Sequence, residues 1–186
     1  MDNDVSAGSG ITAVVGRLAL GVTLLAFGLG YAEVIDGVSA ADAVSIAQYV
    51  GGVALFVAGL MAFRDRDAAS GTAFAALGAL WFTWAVSAGG SADAAGLFLL
   101  LFALVALSLT LAGGDQLGQA VYGLFFVSLL LLGIARFAEN DTLARVGGWF
   151  AVAAGAVAWY AATAVMAHWP TVVSRRAAGR RVTAAG

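Results

Sequence analysis

Cysteine and lysine are absent from these 186 residues, histidine occurs once (His168), and charged side chains make up only 11%. Without cysteine there are no disulfides, thiolate metal sites or cysteine nucleophiles. One histidine does not make a histidine-based metal site. No cofactor, metal site or catalytic residue is therefore expected. Soluble domains carry about 25% charged and about 45–50% apolar residues. Here 62% are hydrophobic and the mean hydropathy is +0.95. Too little polar surface remains to coat a water-facing globule. A soluble enzyme, a disordered chain and a nucleic-acid binder are excluded, and an integral membrane protein in contact with the lipid bilayer is left. All nine basic residues are arginine in an Ala- and Gly-rich chain, a codon pattern that points to a GC-rich bacterial genome.

Six apolar stretches cover residues 11–32, 44–63, 71–88, 94–112, 116–138 and 142–168. A helix needs about 20 such residues to cross the hydrocarbon. Continuous runs such as Leu97-Phe98-Leu99-Leu100-Leu101-Phe102 argue against a transmembrane barrel, whose strands alternate with a period of two. Breaks at 33–42, 64–70, 89–93, 113–115 and 139–141 are short, so consecutive helices form antiparallel hairpins. The expectation is an all-α membrane protein: a short N-terminal tail (1–10), a six-helix domain (11–169) and a basic tail (170–186).

The N-terminus, Met1-Asp2-Asn3-Asp4, lacks the basic region of a signal peptide, so the first helix is expected to be retained. Arginine placement predicts orientation. Arg64, Arg66, Arg175, Arg176, Arg180 and Arg181 share one face, against Arg136 and Arg145 on the other. Both termini are expected in the cytoplasm of a cell with an inner (plasma) membrane location for the protein. The Arg175–Arg181 tail enforces that topology or lies against anionic headgroups.

Helix two carries Val50-Gly51-Gly52 and Gly59; helix six carries Val146-Gly147-Gly148 and Gly155 at identical spacing, with a fainter echo at Gly96 and Ala103. Small residues a heptad apart share a helix face and permit close helix packing. The recurrence is either chance in an Ala/Gly-rich chain or the mark of three related hairpins.

Ionisable groups inside a membrane are costly and usually functional. No carboxylate falls mid-span. Arg17 is read as snorkelling to headgroups, Arg136 as an outer anchor beside Glu139, and His168 and Trp169 as interfacial anchors. Polar residues within spans, Thr12, Thr23 and Ser128 among them, either bond a solute or bond a helix carbonyl.

The run from Gly51 to Leu60, continued by Gly71-Thr72-Ala73-Phe74 and Gly78-Ala79-Leu80-Trp81, resembles the acetate uptake transporter family, also called the succinate–acetate permease or YaaH family. Phe125-Phe126-Val127-Ser128-Leu129 and Gly147-Gly148-Trp149, with Gly155 and Tyr160, extend the likeness over nearly the whole chain. The resemblance implies six helices, a pore through each protomer, a homohexamer and a small acetate-like solute. It aligns Leu20, Leu77 and Leu129 with positions that narrow the family's channel, which implies a hydrophobic waist; the alternative is that these leucines face lipid or neighbouring helices. Thr12, Thr23 and Ser128 then fall to the pore lining. The family's opening Asn-Pro-Ala-Pro-Leu-Gly reads here Ile11-Thr12-Ala13-Val14-Val15-Gly16, and Leu55, Ala62, Leu77 and Val165 replace polar family residues. Three readings follow: transport of acetate or a related monocarboxylate, crossing as the neutral acid or with a proton; a channel for small neutral solutes; or a non-transporting structural or regulatory membrane protein.

Overall fold

The computed structural model describes residues 3–86 and 90–169. The basic tail with Arg175–Arg181, and the start of the 89–93 break, lie outside the described residues. Six helices follow in order: α1 (Asn3–Ala32), α2 (Ala40–Arg64), α3 (Ala68–Val86), α4 (Ala92–Leu111), α5 (Gln116–Phe137) and α6 (Asp141–Met166). Each holds a stretch long and apolar enough to cross a membrane. Residues 3–10, expected as a tail, continue α1 as helix.

Local chemistry sets the ends. Ser91, Asp115 and Asn140 accept hydrogen bonds from the N–H groups of Ala94, Gly118 and Leu143, capping α4, α5 and α6. Glu33, Arg66, Glu139 and His168, just past the ends of α1, α2, α5 and α6, take positive φ, where glycine is the usual choice. Helix α2 is irregular: a 3-10 turn at Ala40–Ala43, a π-helical stretch at Ala47–Ala54, and regular α-helix from Leu55. The wider π turn buries the adjacent Gly51 and Gly52 against different neighbours. Gly52 lies on the backbone of Phe82 in α3, while Gly51 lies against Thr23 and Trp81.

The helices form a ring in chain order, closed by extensive packing of α1 on α6; α3 and α4 meet least. Three antiparallel pairs approach closely through glycine, and in two of them, α1–α6 and α2–α3, an added Cβ would strike backbone. Between α1 and α6, a Cβ on Gly155 would sit 2.8 Å from the Leu25 nitrogen. Between α2 and α3, one on Gly59 would sit 2.6 Å from the Ala75 nitrogen, and one on Gly78 2.7 Å from that of Phe56. Between α4 and α5, Gly133 faces the Gly96 carbonyl. In a bilayer, where lipid is as apolar as leucine, such close contact supplies the packing attraction. Gly147 instead meets Leu132 and Leu131 of α5. The small faces of α2 and α6 are therefore used within one chain rather than between chains. Two of the tight pairs are consecutive hairpins, α2–α3 and α4–α5; the third joins the first helix to the last.

The outward surfaces are apolar. Leu97, Leu101 and Leu104 on α4 and Phe56, Val57 and Leu60 on α2 are all exposed, a surface suited to lipid or another apolar protein face.

Candidate functional site

The odd helices α1, α3 and α5 each carry one stripe that is buried over most of its length and ends, on α5, at the exposed Arg136. On α1 it comprises Leu20, Leu24, Phe27 and Tyr31, on α3 Leu77, Trp81 and Trp84, and on α5 Leu129, Leu132 and Arg136. Spacings of three and four place each set on one helix face. Leu20, Leu77 and Leu129 are 2%, 0% and 1% exposed and share one buried cluster, so none of them faces lipid. Above them lies an aromatic layer. Phe27 meets Trp81 and Trp84 edge-on at 5.0 and 5.2 Å, and Trp81 stacks on Phe125 at 5.5 Å.

The polar candidates divide. Thr23 is buried, but its Oγ1 donates to the Ala19 carbonyl at 2.8 Å, satisfying its own helix. Thr12 Oγ1 donates to Asp65 Oδ2 at 2.8 Å, tying α1 to the α2–α3 loop. Ser128 Oγ is fully buried without a protein partner, and so is Trp81 Nε1. Buried polar atoms are rarely left unpaired, and each exception invites an explanation such as a solute or water.

Polar groups close the two ends of the stripe. At the end holding the start of α1, Arg17 Nη2 donates to Asp115 Oδ1 at 2.7 Å. The same carboxylate caps α5 through Gly118. Arg17 therefore does not reach for headgroups; it bridges α1 to the α4–α5 loop. At the opposite end Arg136 Nη2 donates to the Tyr31 hydroxyl at 3.1 Å, with its Cζ 5.6 Å from the Tyr31 ring centroid. Its partner is thus on α1 and not Glu139. Arg145 Nε donates to Glu33 at 2.8 Å. Of the cavities that open at this end, two, of about 490 and 290 Å³, share Tyr31, Ala40, Ala92 and Arg136 in their walls.

Sequence reasoning named the three leucines and Ser128, all of which the fold buries; it did not name Phe27, Tyr31, Trp81 and Trp84 beside them, or the Arg136–Tyr31 contact. The signal was present as a repeating three-and-four spacing that starts from each leucine. Among the described residues no group of acidic, histidine or cysteine side chains could hold a metal.

A six-helix ring with an apolar exterior defines a multi-pass membrane protein, and its family and fold matches put it in the channel and transporter class, not among enzymes. The GPR1/FUN34/yaaH family profile matches residues 8–173, and the chain belongs to that family. Its fold is similar to that of the bacterial acetate channel SatP, with a TM-score of 0.73 at 25% identity over 82% of this chain and 89% of the other. It is also 28% identical, over 175 residues and 86% of its length, to the "Glyoxylate pathway regulator" of Yarrowia lipolytica. The chain spans 64% of that relative's length.

Proposed function

We propose that this protein conducts acetate or another small monocarboxylate across the membrane along the interior stripe. The observation that carries the reading is the pair of buried, unpartnered donors, Trp81 Nε1 and Ser128 Oγ, beside the leucines at 20, 77 and 129. A carboxyl group satisfies such donors in passing. The structural likeness to an acetate channel supports the same solute.

The three leucines then form a dry waist. Leucine cannot replace an anion's hydration shell, and hydrophobic constrictions gate by excluding water. An unpaired charge stranded there costs at least several kcal/mol, so the solute crosses as the neutral acid. The arginine asymmetry supports cytoplasmic termini, in a protein of the plasma membrane. The family resemblance supports a homohexamer, and because the glycine faces are occupied within the protomer the contacts between protomers would use the apolar outer faces.

A second reading, a pathway for small neutral solutes, is favoured by the lack of charge at the level of the three leucines. Purified protein in liposomes, given labelled acetate, urea and glycerol in parallel, separates the two. Acetate flux above protein-free vesicles supports the first reading. Urea or glycerol flux without acetate flux supports the second, and no flux for any of them rejects both.

A further inference from the structure

We propose that Arg136, an exposed residue that lines both cavities, is a carboxylate-recognition residue, and that the smaller cavity receives the alkyl chain of a short monocarboxylate. The proposal rests on reading the protein as a monocarboxylate pathway, and it assigns the residue that selects the solute before the waist.

The two cavities differ in character. The larger one, about 490 Å³, is lined by the acidic side chains of Glu33, Glu139 and Asp141. The smaller one, about 290 Å³, has no carboxylate among the described residues that line it; beyond Arg136 and Tyr31 its walls include Val44, Trp84, Phe98 and Leu99. Arg136 lines both, and so is the cation that a solute meets on passing from one to the other.

Its hydrogen bonding leaves it available. Arg17 and Arg145 are each paired with a carboxylate. Arg136 has no carboxylate within salt-bridge reach among the described residues, although Glu139 is three positions along. Glu139 stands past the helix end with φ of 47°, which breaks the helical geometry an i, i+3 pair needs. The guanidinium instead lies against the ring of Tyr31 and gives that hydroxyl one N–H. Of its five donors most stay open, in the planar fork that suits a carboxylate. Tyr31, accepting from Arg136, retains its own proton to donate to the second carboxylate oxygen. One cation and one hydroxyl thus converge on a single carboxylate.

The wall behind them sets the class. A dicarboxylate would strand its second charge against Val44 and Phe98, which is costly without a partner. A hydroxylated solute would leave its hydroxyls unpaired there. An alkyl chain gains contact. At about 290 Å³ the cavity lies near the lower limit of ligand pockets, roughly 300–1,000 Å³. Acetate leaves much of it unfilled, so each further methylene adds burial, and binding tightens about fourfold per carbon.

The test uses the full chain in mild detergent near neutral pH. Acetate, propionate and butyrate are titrated and followed by tryptophan fluorescence, Trp84 lining the cavity, with calorimetry as the second readout. Expected is saturable binding that tightens from acetate to butyrate, with propionamide, the uncharged analogue of propionate, binding far more weakly. Arg136→Gln weakens propionate binding by about tenfold or more, Arg136→Lys falls between, and Tyr31→Phe weakens it less. Thermal midpoints check that each variant is folded. If Arg136→Gln does not fold, Arg136→Lys and Tyr31→Phe decide the matter. Equal binding of propionate and propionamide, propionate binding unchanged in the folded variants, or no saturable binding overturns the site. Liposome flux is measured alongside. Acetate flux without Arg136-dependent binding rejects this site and keeps the pathway; Arg136-dependent binding without flux rejects the pathway and keeps the site.

Discussion

Gly28 of α1 and Gly148 of α6 lie carbonyl to Cα across the ring closure. A Cβ on Gly28 would stand 2.7 Å from the Gly148 oxygen, and one on Gly148 would stand 2.9 Å from the Gly28 oxygen. One heptad further on, Gly21 and Gly155 repeat the relation. The contact is backbone to backbone, so no side-chain rotation relieves an added methyl. Gly148→Ala should destabilise the protein by about 1–3 kcal/mol, read as a lowered thermal midpoint in detergent. Gly10→Ala, with nothing within 4 Å of its Cβ, should not lower it. Equal midpoints for the two variants would contradict the close packing.

Ser128 offers a trade between stability and transport. Its buried hydroxyl has no partner, and an unsatisfied buried polar group costs about 1–3 kcal/mol. Ser128→Ala should raise the thermal midpoint while lowering acetate flux in liposomes. Unchanged flux would remove Ser128 from the pathway.

The waist makes a statement about pH. At fixed total acetate, flux should rise as pH falls through the acid's own pKa, after subtraction of leak in protein-free vesicles. Leu77→Ala should raise flux at every pH; Leu77→Val is the gentler variant if the cavity left by alanine, typically 2–5 kcal/mol in cost, unfolds the chain. Flux that ignores both pH and residue 77 ends the waist proposal.

Asp115 serves two partners that salt can separate. Asp115→Asn keeps a good N-cap for α5 and loses the charge facing Arg17; Asp115→Ala loses both. A half-exposed ion pair contributes about 0.2–1 kcal/mol and a cap about 1 kcal/mol. Thermal midpoints should fall in the order wild type, asparagine, alanine. Added salt should close the first gap, by screening, and leave the second. Asparagine and alanine variants of equal midpoint at every salt concentration would mean that Asp115 acts through charge alone.

Orientation can be read chemically because the chain has no cysteine. Asp36→Cys, in the α1–α2 loop, should react with an impermeant thiol reagent on intact cells. Ala69→Cys, at the start of α3 on the other end, should react only after permeabilisation. The reverse pattern would invert the topology.

The helices were legible because uninterrupted apolar runs leave few alternatives, and the glycine faces because heptad spacing survives in an Ala/Gly-rich chain. What the six spans did not reveal was who meets whom. Gly148 was visible as a packing residue, but its partner Gly28 lies at the other end of the chain. Arg136 stands beside Glu139 in sequence, yet it turns to Tyr31 across 105 positions. Arg17 reads as a snorkelling cation until the α4–α5 loop brings Asp115 within hydrogen-bond reach. The π-helical stretch at Ala47–Ala54 carries no proline to announce it. Pairing across a ring is a property of closure, and a local window of sequence contains no term for it.

Because α1 and α6 run antiparallel, the beginning of the one and the end of the other lie at the same end of the ring. The chain's order around the ring is thus separable from where it starts. A circularly permuted protein, with Trp169 joined to Asn3 by a flexible linker and new ends opened between α3 and α4, would keep the three glycine-tight pairs. It would be cut where neighbouring helices pack least. In that permutant the α1–α6 pair becomes an ordinary hairpin, formed locally during synthesis instead of waiting for the last helix to arrive.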